Sequence, residues 1–207
     1  VSDGWSMGIF FEELSLCYQT RLEDKVPNLP VLAIQYADFA QWQKNWLQGD
    51  ILKRQLDYWK KRLTGYENLN LPLDYPRPAQ QSFAGSHYVF KIPLQLSKSL
   101  QQLAQKYQST LFTVLLAAFN VLLSRYSGQT DIVIGTPIAN RHLPEIEKLI
   151  GFFVNTLAIR TKLNTQDTFS NLLLSVTQEA LEAYEHQDVP FEKLVDALQI
   201  ERDLSRS

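Results

Sequence analysis

The stretch TLFTVLLAAFNVLLSRYSGQTDIVIGTP, residues 110–137, decides the fold class. Thr110 can cap a helix with its hydroxyl, and the residues after it stay largely apolar to Tyr126. Gly128 is placed to close that helix in the left-handed conformation. Asp131 to Ile134 then turns β-branched, which predicts a short strand running into Gly135-Thr136-Pro137, a sharp exit from a sheet. A helix handing directly to a strand places the chain among the α/β or α+β folds.

The reading extends in both directions. After a tight turn at Asp3-Gly4, Ile9, Phe10, Leu14, Leu16 and Cys17 recur at helical spacing. Residues 32–63 predict two helices breaking near Gly49; in the second, Leu52, Leu56, Trp59 and Leu63 form one stripe, with Lys53, Arg54, Lys60 and Lys61 as its solvated face. Residues 65–86 hold Pro72, Pro76, Pro78 and Gly85 without sustained periodicity and mark a boundary between two lobes. Residues 87–92 alternate and predict a strand ended by Pro93, and Ser97 is placed to cap a helix reaching Tyr107. Beyond the deciding stretch we expect a short helix over Glu145–Ile150 and a strand over Phe153–Lys162. A long helix over Thr168–His186 follows, then a last helix over Phe191–Leu198 with Pro190 in its first turn.

Composition removes several classes of function. With 45% hydrophobic residues over 207 positions, the chain can bury a proper core. Twenty Lys and Arg against 22 Asp and Glu leave no basic field for a phosphate backbone, so nucleic acid is not expected as a partner. The single cysteine, Cys17, cannot form a disulfide within the chain and offers no cluster for zinc, which fits a reducing, cytoplasmic setting. The apolar run 111–123, interrupted by Thr113 and Asn120, falls short of the roughly 18 to 20 residues that span a bilayer, so it reads as a buried core helix and no membrane partner is expected.

Three segments and the histidines are candidates for chemistry. Gly4-Trp5-Ser6-Met7-Gly8 matches G-x-S-x-G and would make Ser6 a hydrolase nucleophile, although that elbow needs a preceding strand and only five residues precede Ser6. In the other reading the glycines serve the turn and the serine starts the helix. His87, His142 and His186 lack metal-ligand spacing, so no metal is expected. His186-Gln187-Asp188-Val189-Pro190-Phe191-Glu192 gathers an imidazole and two carboxylates at a helix break, either a capping corner or a reactive one. Asn155, inside the apolar Gly151–Thr156, needs hydrogen-bond partners and is either a structural bridge or a substrate contact.

In identity and order these segments resemble the condensation domains of nonribosomal peptide synthetases. Asp3-Gly4-Trp5-Ser6 is similar to the end of that family's HHxxxDG-WS, and Tyr36–Gln43 to its Y-x-D-[YF]-A-x-W-Q. Ile150–Thr156 resembles I-G-x-F-V-N-T, with Arg160 at the usual place after it. His186–Glu192 reproduces H-Q-D-x-P-F-E, and Arg202–Ser207 begins R-D-x-S-R-x-P-L. The resemblance implies a two-lobed fold similar to chloramphenicol acetyltransferase, with a mixed sheet, flanking helices and a tunnel between lobes. Residues 1–64 would be the rear of the N-terminal lobe and the connection, and 65–207 most of the C-terminal lobe of a truncated domain.

It also implies amide formation between a donor acyl or peptidyl thioester and an acceptor aminoacyl thioester. Upstream and downstream carrier domains would supply both on phosphopantetheine, with no cofactor bound by the domain itself and an adenylation domain as neighbour. The family's base, the second histidine of HHxxxDG, would precede Val1, so the chain alone is expected to be inactive. Asp3 and Gly4 carry over as the catalytic motif's end, Asp3 as a salt-bridge anchor and Gly4 as a close backbone approach. Asn155 carries over as a tunnel contact, and Trp5, Ser6, Arg160, His186, Asp188, Pro190, Phe191 and Glu192 as structural members. The Gly4-Trp5-Ser6 continuation argues against a heterocyclising relative, and an intact H-Q-D-x-P-F-E against an epimerising one. Two alternatives stand beside this reading: the Ser6 hydrolase, and a non-catalytic module that only docks carriers.

Overall fold

A computed structural model describes residues 1–82 and 84–199. Among them are seven helices and two strands: α1 (Gly4–Leu22), α2 (Tyr36–Trp46), α3 (Gly49–Leu63), α4 (Leu94–Lys106), α5 (Leu111–Ser127), β1 (Asp131–Ile138), β2 (Asn155–Lys162), α6 (Phe169–Glu185) and α7 (Phe191–Leu198). The last motif of the resemblance, Arg202–Ser207, lies outside the described residues.

The helix ends follow local chemistry. Thr110 caps α5 by accepting from Thr113 N, and Gly128 closes it at φ +72°. Thr168 caps α6 in the same way through Asn171 N. The two strands pair antiparallel, with Asp131 opposite Lys162 and Ile138 opposite Asn155. Leu157 through Thr161 of β2 are all buried, as expected of a strand covered on both faces.

The main core joins Trp59 and Leu63 of α3 with Val114 and Ala117 of α5, Leu157 and Ile159 of β2, and Leu173, Val176 and Ala180 of α6. Helix α3, ahead of the Pro-rich stretch, and the later helices thus share one apolar interior. A smaller cluster of Phe39, Ile146, Leu149 and Phe153 packs α2 against the segment between the strands. Among the described residues no single helix is long and apolar enough to cross a membrane.

Several expectations are corrected. Residues 87–92 form no strand: β1 and β2 pair with each other, and no other described residue gives this segment a ladder. Its alternation records β capacity alone. The sheet is accordingly a two-stranded antiparallel one among the described residues, not a mixed one. Helix α4 starts at Leu94 with Pro93 as its cap residue, so Ser97 lies inside it and turns its hydroxyl back to the Pro93 carbonyl. The helix expected over 145–150 is one 3₁₀ turn, Pro144–Ile146. The apolar run of α5 is two-faced: Val114, Leu116, Ala117 and Leu123 are buried, while Leu111, Phe112, Leu115, Phe119 and Leu122 are 37 to 49% exposed.

Candidate functional site: the Asp3-Gly4 turn and the segments that hold it

Asp3 is the N-cap of α1, its Oδ1 accepting from Ser6 N at 2.9 Å. Arg141, in the loop after β1, reaches the same oxygen with Nη2 at 3.1 Å. Phe153 N donates to Asp3 Oδ2 at 3.0 Å, and Asp3 N donates to the Gly151 carbonyl at 3.2 Å. Burial alone would push the Asp3 carboxyl up. The donors from Ser6 and Phe153 and the Arg141 charge outweigh it and hold the group at about 2. Asp3 is thus a fixed negative anchor at neutral pH.

Ser6 sits at the centre of this network with no exposed surface. Its Oγ lies 2.7 Å from Asp3 Oδ1 and 2.8 Å from the Gly151 carbonyl, two acceptors for one proton. It accepts from Arg141 Nη2 at 2.9 Å and Gly151 N at 3.0 Å. Ser6 is the third residue of α1, and an exposed nucleophile on a strand-to-helix turn has neither this burial nor these partners. Trp5, half exposed, donates its indole N–H to the Glu147 carbonyl at 2.9 Å. Gly4 opens α1, and a Cβ there would meet nothing within 4 Å.

Nothing in the local sequence around Arg141 marks it as a partner of Asp3. Its Nη1 donates to the Ile146 and Leu149 carbonyls, both at 2.7 Å, and its guanidinium lies 4.0 Å from the centre of the Phe153 ring. One cation thereby ties the loop after β1, the 3₁₀ turn and the start of α1. Gly151 carries a constraint that its motif does not announce: a Cβ there would run into the Tyr36 ring at Cδ2. Contacts of this kind join residues far apart in sequence, and no local period announces them.

Asn155, at the head of β2, uses both ends of its amide internally. Nδ2 donates to the Gln187 and Val189 carbonyls at 2.8 Å, and Oδ1 accepts from Thr156 N at 2.9 Å and Phe191 N at 3.0 Å. The same bond from Phe191 N satisfies the start of α7, where Pro190 is the cap residue. His186 stacks on Tyr58 with ring centres 3.8 Å apart, its Nδ1 lies 2.9 Å from the Glu182 carbonyl, and its own carbonyl accepts from Trp59 at 2.8 Å. Asp188 accepts from Gln55 at 3.2 Å, and burial pushes its carboxyl up. Glu192 is exposed in the first turn of α7. A cavity of about 120 Å³ opens beside this corner, lined by Phe39, Asn140, Phe153, Asn155, Asp188 and Glu192 among others.

Arg160 fastens β2 to its surroundings. It makes a two-pronged pair with Asp131, 2.8 Å from Nε and 2.6 Å from Nη2, and donates from Nη1 to the Arg62 and Thr64 carbonyls at 2.9 and 2.8 Å. Arg62 returns the bond, Nη2 donating to the Arg160 carbonyl at 2.9 Å. His186, Asp188, Pro190, Phe191 and Arg160 therefore sit in packing and capping positions, away from the Asp3-Gly4 turn in sequence but joined to it through the segment 151–155.

Comparison with known proteins follows the same lines. The Condensation domain family matches residues 1–207. A linear gramicidin synthase from Brevibacillus parabrevis is 53% identical over 208 residues, covering 100% of this chain and 3% of that protein. The X-domain from teicoplanin biosynthesis superposes with a TM-score of 0.90 at 31% identity, over 100% of this chain and 47% of that one. A four-domain nonribosomal peptide synthetase bound to AMP and glycine gives 0.89 at 31% identity, over 99% of this chain and 15% of that one. The chain thus spans a small fraction of the synthetases it matches and about half of a solved domain of this fold. With four of its motifs meeting in space and the family match running from end to end, the chain belongs to the condensation-domain family of the nonribosomal peptide synthetases.

Proposed function

We propose that this chain forms part of a domain that makes an amide bond between two carrier-bound thioesters. The acceptor aminoacyl nitrogen attacks the donor thioester carbon, the C–S bond breaks, the donor thiol leaves, and the nitrogen loses a proton. Such a reaction is helped by a base or acceptor beside the amine and by donors to the tetrahedral species. By the family pattern the base is the second histidine of HHxxxDG, whose place is ahead of Val1. Phosphopantetheine arrives as part of the substrates, on carrier domains flanking the site, and an adenylation domain neighbours it in the parent chain.

The observation that carries this reading is the locked Asp3-Gly4 turn. A carboxylate held at about 2 is a poor proton acceptor near neutral pH, which supports an anchoring role for Asp3 and leaves proton transfer to another group. Helix α1 and the segment 151–153 are both built on that anchor, so the residues just before it are held at a defined place.

The test is amide formation by the complete parent module. Donor and acceptor carriers are loaded separately and mixed with the module, and the acceptor carrier is weighed by intact mass spectrometry. The expected result is the peptidyl mass on the acceptor carrier, lost when either carrier is omitted. Release of the donor as free acid would point to hydrolysis and overturn the reading. Carrier binding without product would favour the docking module instead.

A further inference from the structure

We infer that Tyr36 is a positioning residue for the Asp3-Gly4 turn and acts on it through Gly151–Phe153. The inference rests on the reading of that turn as the end of a catalytic motif. Tyr36 is the first residue of α2, where Gln35 N donates to Asp38 Oδ2 at 2.8 Å and fixes the start of the helix. From there the phenol donates to the Phe152 carbonyl at 2.9 Å. The ring covers Gly151 too closely for any side chain there and meets the Phe153 ring edge-on at 5.1 Å. One side chain therefore fixes three consecutive residues.

Those residues hold the turn from the other side. Gly151 accepts from Asp3 N at 3.2 Å and donates to Ser6 Oγ at 3.0 Å, and Phe153 N donates to Asp3 Oδ2 at 3.0 Å. The groups of Gly151 and Phe153 that face the turn flank the Phe152 carbonyl that faces Tyr36. Releasing that carbonyl lets the segment shift, and every bond it makes to Asp3 and Ser6 shifts with it. A misplacement of about 1 Å at a reacting centre can cost about a hundredfold in rate, so a partial release has a measurable effect.

The decisive variant is Tyr36→Phe in the complete condensation domain, which keeps the ring over Gly151 and removes only the hydroxyl. We expect kcat for amide formation to fall about tenfold, with KM for the acceptor carrier and the melting temperature little changed. Trp5 gives an independent readout, because its indole N–H is bonded within the turn region. Its amide-type resonance should shift in Tyr36→Phe, while that of Trp59, bonded to the His186 carbonyl, stays in place.

A second pair of variants keeps the proposal open to refutation if Tyr36→Phe is too gentle. Gly151→Ala should cost at least about tenfold in kcat alone, but about twofold or less in a Tyr36→Ala background, where the obstructing ring is gone. Full additivity of the two, or a Tyr36→Phe domain with wild-type kcat and an unmoved Trp5 signal, would overturn the inference. A wild-type domain that forms no amide bond would defeat the functional reading alone, since the Trp5 resonance still reports the coupling.

Discussion

The Asp3 carboxylate and the Arg141 guanidinium meet at 3.1 Å with each side chain only 1% exposed. Replacing Arg141 by Met leaves a buried carboxylate without its counter-charge and frees the Ile146 and Leu149 carbonyls. Arg141→Met should therefore destabilise the complete domain by about 3–5 kcal/mol in urea unfolding. Adding Asp3→Asn should recover part of that loss, because the stranded charge is removed. A single variant with the wild-type urea midpoint would show that the pair does not hold the turn.

Acid should expose the same anchor. Asp3 titrates at about 2 when folded against an ordinary 3.8, so folding favours its ionised form. That contribution is complete above about pH 4 and is lost as pH falls toward 2, amounting to about 2 kcal/mol. Asp131, lowered chiefly by its hydrogen bonds from Arg160, adds in the same direction. Glu179 and Asp188 are raised by burial, so the folded state takes up their protons first and gains stability as pH drops from neutral. Urea midpoints from pH 7 to 2 should pass through a mildly acidic maximum, and Asp3→Asn should flatten the fall on its acid side.

Asn155→Ala separates a bridge from a substrate contact. It removes four hydrogen bonds, three of which join β2 to the segment leading into α7, and this should cost about 2–4 kcal/mol in thermal or urea unfolding. Measured where the variant is still folded, KM for either carrier-bound substrate should stay within about twofold of wild type. An unchanged stability with a KM raised tenfold would instead place Asn155 against substrate.

Ser6 should resist a fluorophosphonate probe, since its Oγ is buried among Asp3, Arg141 and Gly151. Ser6→Ala should lower stability by about 1–3 kcal/mol, because Gly151 N and Arg141 lose a buried acceptor. Covalent labelling of Ser6 in the folded domain would restore the hydrolase.

What could be read in advance follows the range of the forces involved. Thr110 and Gly128 mark their helix ends through bonds made within a few residues, and both stand where the sequence puts them. Residues 87–92 show the other limit: alternation is local, whereas a strand needs a neighbour, and β1 and β2 pair with each other. Ser97 lies one turn inside a helix that starts at Leu94, and its hydroxyl donates back to the Pro93 carbonyl instead of capping. Motif identity located Asp3, Ser6, Gly151 and Asn155 as members of a set. Which atoms meet was invisible, because Arg141 lies 138 residues from Asp3 and Tyr36 lies 116 from the carbonyl it binds.

Arg62 and Arg160 each donate to the other's carbonyl, and Arg160 also grips Asp131 with two prongs. Sliding α3 along β2 by even one residue would have to break the two Arg62–Arg160 bonds together, while the pair with Asp131 keeps the Arg160 guanidinium in place. The joint therefore resists shear: a push on α3 is passed to β1 and β2 as one rigid displacement, and the helix and the sheet travel together.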